Sequence, residues 1–173
     1  ELGLTNARLD EIAGIKGGTP ASITESTTDI ILESANFNGI AVRKTASALH
    51  LRTDASARFE QGISPELAAY GIRAVVDLIL SLAGGTLEGF ADVYPVPQAE
   101  SRIQVTSEKI QQVLGADITN EQIVDAFTRL SFVYKQEGDV FEVVAPFERL
   151  DLTIAEDLVE EVGRIVGYDK VLP

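Results

Sequence analysis

Four carboxylates gather around the start of the last predicted helix, and together they could hold a metal ion. Asp157 stands three residues before Glu160 and four before Glu161, which places all three on one helical face, and Asp151 comes just before the helix. Carboxylate oxygens are the ligands that Mg²⁺, a hard cation, prefers. A solvated acidic face explains the same spacing, and Arg149 and Arg164 could neutralise part of it. This predicted metal set is Asp151, Asp157, Glu160 and Glu161.

A second set of candidates lies in the first half of the chain and could line a ligand pocket. Two glycines flank a turn where backbone could approach a ligand closely. A glutamate ends an apolar run, where a carboxylate is costly unless something pairs with it. The alternative is an ordinary turn, a solvated carboxylate and a helix cap supplied by Asp54 or Ser56. This predicted pocket set is Gly14, Gly17, Glu33, Thr53 and Ala55.

Other familiar chemistries find no support in the sequence. His50 is the only histidine, so no Ser-His-Asp arrangement can be argued from it. Neither Gly17-Gly18 nor Gly84-Gly85 belongs to a phosphate-binding loop motif. The chain has no cysteine, which excludes disulfides and thiolate metal sites and fits a reducing cytoplasm.

The composition predicts a globular protein with an acidic surface. The 173 residues include 14 basic and 27 acidic side chains, for a net charge of -13. Such a surface repels phosphate backbones at long range, so an RNA contact would need a local basic patch or a partner subunit. No apolar run approaches the roughly 20 residues of a membrane span, and no membrane partner is expected. Because the chain also lacks methionine, we expect a processed protein or an excised piece.

Two helices and two strands are predicted in the first half. Residues 42–51 read as a short helix, and a longer helix runs over residues 65–83 with Ser64 as its cap. Apolar and β-branched residues favour strands at residues 29–35 and 91–94.

Two prolines mark residues 95–101 as a linker, which separates a first domain, residues 1–94, from a second, residues 102–173. The second domain begins with a strand at residues 103–105 and a helix at 107–114. Capping boxes then predict two more helices, one opened by Thr119 with Gln122 and one by Thr153 with Glu156. A hairpin pairs Tyr134 and Lys135 with residues 140–144. The predicted fold is α+β, with two α/β modules, the second a small, helix-rich, winged-helix-like domain with a hairpin.

Several segments resemble the beta subunits of bacterial phenylalanine–tRNA ligases. Residues 13–18, 33–37 and 53–62 are similar to the C-terminal part of the editing domain of that family, and residues 146–151 and 156–169 to the small domain that follows it. The segments occur in the order and spacing of the family and span nearly the whole chain. Among the departures, the family usually has Met, Arg and Asp at the positions of Lys16, Gln61 and Ser64.

The resemblance implies a part in hydrolytic editing of tyrosyl-tRNA(Phe). Glu33 would accept a hydrogen bond from the tyrosine hydroxyl, Thr53 and Ala55 would line the pocket, and Gly14 and Gly17 would leave room for substrate. The editing site of the family also uses earlier residues, including a histidine, so we expect this chain to hold about half of a pocket.

The resemblance also implies partners and cofactors. Mg²⁺ would bind the predicted metal set at a site shared with an alpha subunit, in a cytoplasmic heterotetramer of two alpha and two beta chains. That enzyme uses ATP to attach phenylalanine to tRNA(Phe). The synthetic active site lies on the alpha subunit, so we expect no catalytic residue for aminoacylation here and no aminoacylation by this chain alone.

Two other interpretations stay open. The chain could be a non-catalytic module that binds nucleic acid or protein, although its net charge disfavours the first. It could also be a free-standing hydrolase of aminoacyl esters.

Overall fold

The computed structural model describes residues 11–19 and 22–170, and the chain divides into two compact units. The division falls between Pro97 and Gln98, inside the predicted linker of residues 95–101. Within the described residues, no helix is both long enough and apolar enough to cross a membrane.

Within its described residues, 11–19 and 22–97, the first unit contains a short hairpin and three α-helices. Strands β1 (Glu11–Ile12) and β2 (Lys16–Gly17) pair antiparallel, with Ile12 opposite Lys16. The helices are α1 (Gly39–Ala48), α2 (Asp54–Phe59) and α3 (Leu67–Ala83).

The hairpin turn and α1 share the small core of this unit. Ile15, Val42 and Ala46 are buried, and the last two stand one helical turn apart on the inner face of α1. The rings of Phe37 and Phe59 pack edge to face beside them, with centroids 4.9 Å apart. Because Ile15 comes from the turn between β1 and β2, this core fixes that turn against α1.

Helix α1 confirms the helix predicted at residues 42–51, with its bounds shifted toward the N-terminus. Asn38 caps it, since its side-chain oxygen accepts a hydrogen bond from the Ala41 N–H at 3.0 Å. Helices α1 and α2 approach closely at Gly39, where an added Cβ would lie 2.6 Å from the carbonyl oxygen of Phe59.

The strands predicted at residues 29–35 and 91–94 are wrong, because both segments lack strand structure. A strand needs a neighbour whose backbone completes its hydrogen bonds, and the described part of the first unit offers none to either segment. Side-chain hydrogen bonds from the end of the first segment and from the residue after it hold this part of the chain instead. The Ser34 hydroxyl donates to the Ala68 carbonyl at 2.8 Å, and the Asn36 amide donates to the Ile63 carbonyl at 2.6 Å.

Helix α3 confirms the longer predicted helix, but Ser64 is not its cap. The helix begins at Leu67, and the Ser64 hydroxyl accepts from the Glu66 N–H at 3.3 Å in the preceding turn. Gly84, with a φ of +72°, ends the helix as expected. No α3 residue is buried in the described structure.

The second unit is built on a three-stranded antiparallel sheet. Its strands are β3 (Arg102–Thr106), β4 (Val133–Glu137) and β5 (Val140–Val144), in the order β3-β5-β4. In the register, Val105 of β3 and Gln136 of β4 both lie opposite Phe141 of β5. The predicted hairpin is therefore confirmed, and Gly138 at its tip has a φ of +59°.

Up to residue 170, where the described part ends, three α-helices and a 3₁₀ turn accompany this sheet: α4 (Ser107–Leu114), α5 (Asn120–Arg129), α6 (Ala155–Val166) and the turn Tyr168–Lys170. They pack on a continuous apolar core whose fully buried centre includes Ile110, Ile123, Phe127, Phe141 and Leu158. With these helices beside an antiparallel sheet, the α+β fold class is confirmed.

One of the two predicted capping boxes forms. At the start of α5, the Thr119 hydroxyl accepts from the Gln122 N–H at 3.4 Å, and the Gln122 amide oxygen accepts from the Thr119 N–H at 2.9 Å. The box of Thr153 with Glu156 is wrong, because the neighbouring Asp157 carboxylate takes the backbone donors at the start of α6.

Candidate functional sites

Thr53 joins the hairpin turn to the start of α2. Its hydroxyl donates to the carbonyl oxygen of Ile15 at 2.6 Å and accepts from the Ser56 N–H at 3.1 Å. The Ser56 hydroxyl accepts in return from the Thr53 N–H at 2.9 Å, which completes a capping box. The cap of α2 is therefore Thr53, and the alternative interpretation of Asp54 or Ser56 as the cap is wrong.

The two pocket glycines differ in their surroundings. Gly14 has a φ of +69°, and an added Cβ would lie 3.0 Å from Phe37 Cδ2 and 3.1 Å from Val42 Cγ2. A side chain there would be strained by the backbone and crowded by the core. An added Cβ at Gly17 would meet nothing within 4 Å, so Gly17 faces open space at the end of the hairpin.

The remaining pocket candidates are exposed. Ala55 follows Thr53 in the first turn of α2. Glu33 lies in the non-strand segment before α1, and no hydrogen bond or ion pair of the described residues involves its side chain. The hydrogen bond from Thr53 to Ile15 thus joins the turn between Gly14 and Gly17, which we call the glycine turn, to the start of α2. No hydrogen bond or ion pair of the described residues places Glu33 against that turn.

In the second unit, Glu161 is a buried carboxylate held by two arginines. Its side chain is 7% exposed, and its Oε1 accepts from Arg149 at 2.6 Å while its Oε2 accepts from Arg164. The same Arg149 guanidinium donates to both oxygens of Asp151, at 2.6 to 3.2 Å. We call these four side chains the arginine–carboxylate cluster.

The cluster links two segments that are distant in sequence. Arg149 and Asp151 belong to the turn after β5, whereas Glu161 and Arg164 belong to α6. A guanidinium matches carboxylates with two parallel donors, so Arg149 can clamp Asp151 and still reach Glu161. The cluster therefore fastens the turn to the helix.

The remaining two members of the predicted metal set lie outside this cluster. Asp157 accepts hydrogen bonds from the N–H groups of Thr153 at 2.7 Å and Ile154 at 2.9 Å, so it caps α6. Glu160 is exposed, and no hydrogen bond or ion pair of the described residues engages its carboxylate.

Three of the four carboxylates have a lowered pKa. Burial alone would raise the pKa of Glu161, but hydrogen bonds from Arg149 and Arg164 outweigh it and leave the pKa below its usual value. The Arg149 guanidinium holds the pKa of Asp151 low, and the backbone N–H groups of Thr153 and Ile154 do so for Asp157. All three carboxylates are therefore ionised at neutral pH.

Comparison with known proteins identifies the family. Residues 5–84 match the family model of the B3/4 domain, and residues 103–168 match that of the tRNA synthetase B5 domain. The chain is 42% identical over 161 residues to the phenylalanine–tRNA ligase beta subunit of Porphyromonas gingivalis, and 40% identical over 161 residues to that of Bacillus cereus. The chain belongs to the family of phenylalanine–tRNA ligase beta subunits.

The match to this beta-subunit family covers most of the chain and a small part of each relative. The two relatives above are matched over 92% of the chain and 20% of their own length. The beta subunit of Bacillus subtilis is 37% identical over 172 residues, which is 98% of the chain and 21% of the relative. The chain thus spans about a fifth of the length of the curated relatives it matches.

The B3/4 match contains the whole predicted pocket set, and the B5 match contains the whole predicted metal set. In the conformation described, the metal set does not fit a cation. Both Glu161 oxygens and both Asp151 oxygens accept from arginines, and Asp157 caps a helix. No group of three or more histidine, aspartate or glutamate side chains that could hold a metal occurs within residues 11–19 and 22–170.

Sequence reasoning missed two structural roles in this beta-subunit segment. Asp157 stands three residues after Ile154, at the position from which a carboxylate reaches back to the first backbone donors of a helix, but Glu156 offered the same pattern from Thr153. The sequence presents Arg149 only as a neutralising charge, and nothing in it shows that the guanidinium joins Asp151 to Glu161.

Proposed function

We propose that this chain contributes part of the pocket in which a phenylalanine–tRNA ligase hydrolyses tyrosyl-tRNA(Phe). The observation that carries the proposal is the 2.6 Å hydrogen bond from Thr53 to the Ile15 carbonyl, which holds the glycine turn against the start of α2. Four of the five pocket candidates belong to these two elements: Gly14, Gly17, Thr53 and Ala55.

Thr53 acts in this proposal as a positioning residue. Its one hydroxyl hydrogen is given to Ile15, and the oxygen also accepts from Ser56. A threonine hydroxyl has a single donor, so no donor is left for a substrate. Its contribution is to set the distance between the Gly14–Gly17 turn and α2.

Glu33 is the candidate for discriminating tyrosine from phenylalanine. An ionised carboxylate only accepts hydrogen bonds, and the tyrosine phenol supplies the donor that phenylalanine lacks. A site that leaves a buried polar group unpaired loses about 1–3 kcal/mol, more for a charged group. Because Glu33 is exposed in the described structure, this discrimination requires bound substrate or a neighbouring chain to cover it.

The wider ligase belongs to the same proposal. By similarity to the relatives, the chain works beside an alpha subunit in ATP-dependent synthesis of phenylalanyl-tRNA in the cytoplasm. By the same resemblance, we assign the second unit to assembly with that alpha subunit. Binding of Mg²⁺ to the metal set would require Arg149 and Arg164 to release their carboxylates.

The test is hydrolysis of tyrosyl-tRNA(Phe) by a ligase whose beta subunit carries this segment. The variants are Glu33→Gln, which keeps the shape and removes the charge, and Glu25→Gln, a matched exposed glutamate of the same unit. We expect Glu33→Gln to slow hydrolysis at least about 10-fold, as loss of a hydrogen bond to a charged group predicts, while phenylalanine attachment and Glu25→Gln remain normal. Normal hydrolysis by Glu33→Gln would remove Glu33 from the pocket.

The 173-residue chain tested alone separates editing by this segment from the free-standing hydrolase interpretation. We expect no hydrolysis above the rate of the ester in buffer, because Glu33 is exposed and no hydrogen bond or ion pair of the described residues holds it against Thr53. Turnover by the isolated chain would support a self-sufficient hydrolase instead.

A further inference from the structure

Helix α3 carries an apolar stripe that nothing in the described structure covers. None of its 17 residues is buried, and Leu78 and Leu82 are 56% and 79% exposed. Leu67, Ala74, Leu78 and Leu82 recur at helical spacing, which places them on one face of the helix. We call these four residues the α3 stripe. A continuous exposed apolar surface of this kind is typical of a protein–protein contact.

Two opposite charges flank the α3 stripe on one side. Arg73 and Asp77 are the charged residues of α3, and each comes one position before a stripe residue. The two stand one helical turn apart, and both are exposed. No ion pair within residues 11–19 and 22–170 engages either side chain. Each charge is therefore available to a partner that presents the opposite charge beside the stripe.

A second copy of α3 presents those charges when the two helices run antiparallel. Positions 73 and 77 are equally far from position 75, so a twofold axis near residue 75 brings Arg73 of each copy level with Asp77 of the other. In an antiparallel pair each flank of the stripe meets the same flank of its partner, which lets both pairs form. A parallel pair would place the charges against the opposite flank, which consists of Ala68, Val75 and Ile79.

We propose that two copies of the chain associate through the α3 stripe as an antiparallel, twofold-symmetric dimer. Ala74 lies close to the axis, where a small side chain lets the helices approach, and Leu67 of each copy lies beside Leu82 of the other. Because α3 has no net charge, the contact itself adds no repulsion between two chains that each carry a net charge of -13. The dimer does not depend on the proposed function.

The size of the contact sets the expected affinity. A helix of 17 residues is about 25 Å long. One pair of such helices buries less surface than a standard protein–protein interface, so we expect a dissociation constant of about 10 μM.

Sedimentation equilibrium of the 173-residue chain over a range of concentrations tests the proposal. We expect a monomer–dimer equilibrium that Leu78→Glu weakens at least about 10-fold. The control is Leu87→Glu, which replaces a leucine that is 60% exposed and lies outside α3, and it should leave the equilibrium unchanged. Because Leu78 is exposed in the monomer, its replacement should leave the monomer folded.

Charge reversal tests the antiparallel pairing. Arg73→Asp and Asp77→Arg each bring like charges together twice in the dimer, and each should weaken association at least about 5-fold. The double variant Arg73→Asp/Asp77→Arg restores both opposite-charge pairs and should return the affinity to nearly that of the wild type. A purely structural role of these side chains within one monomer would show no such dependence of self-association on charge.

Disulfide mapping determines the orientation of the two helices. The chain has no cysteine, so Leu67→Cys/Leu82→Cys introduces its only thiols. The two positions are about 22 Å apart along one helix, so a bond between them joins two copies. Mild oxidation should link position 67 of one copy to position 82 of the other. Links of 67 to 67 and of 82 to 82 would show a parallel pair and overturn the proposal. A chain that stays monomeric, association beyond a dimer, or a dimer that Leu78→Glu leaves intact would also overturn it.

Discussion

Replacing Glu161 with glutamine tests whether the arginine–carboxylate cluster stabilises the second unit. Removing one partner of a buried ion pair typically costs about 3–5 kcal/mol, and an exposed pair is worth about 0.2–1 kcal/mol. Glu161 is 7% exposed, but its partners Arg149 and Arg164 are 28% and 55% exposed. Arg149 also keeps Asp151 after the change. We therefore expect Glu161→Gln to lower the free energy of unfolding by about 2–3 kcal/mol.

The effect should depend on pH in a defined direction. The pKa of Glu161 is lower in the folded chain than its usual value, so its ionised form stabilises the fold above the unfolded pKa of about 4.3. That contribution is lost as the pH falls through the lowered folded pKa. The difference between wild type and Glu161→Gln should thus be full at neutral pH and shrink in acid.

The assay is urea unfolding of the 173-residue chain, followed through methyl resonances of Ile110 and Ile123 in the core of the second unit. The control is Asp151→Asn, whose side chain is 64% exposed and whose loss should cost less than about 1 kcal/mol. Equal destabilisation by the two variants, or a Glu161→Gln effect that stays unchanged at acid pH, would refute this account of the cluster.

The remaining predictions concern the first unit and the difference between the units. Thr53→Val removes both hydroxyl hydrogen bonds and should cost about 1–2 kcal/mol in urea unfolding, which Thr53→Ser should largely avoid. Gly39→Ala places a Cβ 2.6 Å from the Phe59 carbonyl oxygen and should cost about 1–3 kcal/mol, whereas Gly89→Ala, with open space around it, should change stability by less than about 0.5 kcal/mol. Amide exchange by mass spectrometry should be slower in β5 than in α3, because β5 is central in its sheet and α3 has no buried residue; faster exchange in β5 would contradict this.

Elements that are determined by residues close together in the chain could be predicted from the sequence. Three such elements form, and each depends on residues that are close together in the chain. They are the capping box of Thr119 with Gln122, the hairpin around Gly138 and the end of α3 at Gly84. The strand predicted at residues 29–35 fails because its apolar, β-branched residues describe a side-chain preference, whereas a strand also needs a partner elsewhere in the chain. Propensity alone carries no information about that partner.

The candidate sites show the same difference between local signals and contacts with distant segments of the chain. The spacing correctly places Asp157, Glu160 and Glu161 on one helix, but the groups that donate hydrogen bonds to these carboxylates determine whether they can bind a ligand. Asp157 is committed to backbone donors, and Glu161 to two guanidinium groups. Arg149 comes from a different segment, and its reach to α6 depends on how the turn after β5 packs. Charge pattern therefore predicted where the acidic residues lie and could not predict whether they remain available to a ligand.

Because Thr53 has a structural role, loss of editing in a Thr53 variant has two possible explanations. Because its hydroxyl caps α2 and holds the Ile15 carbonyl, any substitution that removes it disturbs the glycine turn as well as the pocket wall. Loss of hydrolysis in such a variant would be explained equally by a moved turn and by a lost substrate contact. Glu33 has no internal partner among the described residues, so its removal disturbs little besides a bound ligand. The editing proposal therefore depends on Glu33, and on whether this carboxylate reaches the open side of Gly17 when the pocket is occupied.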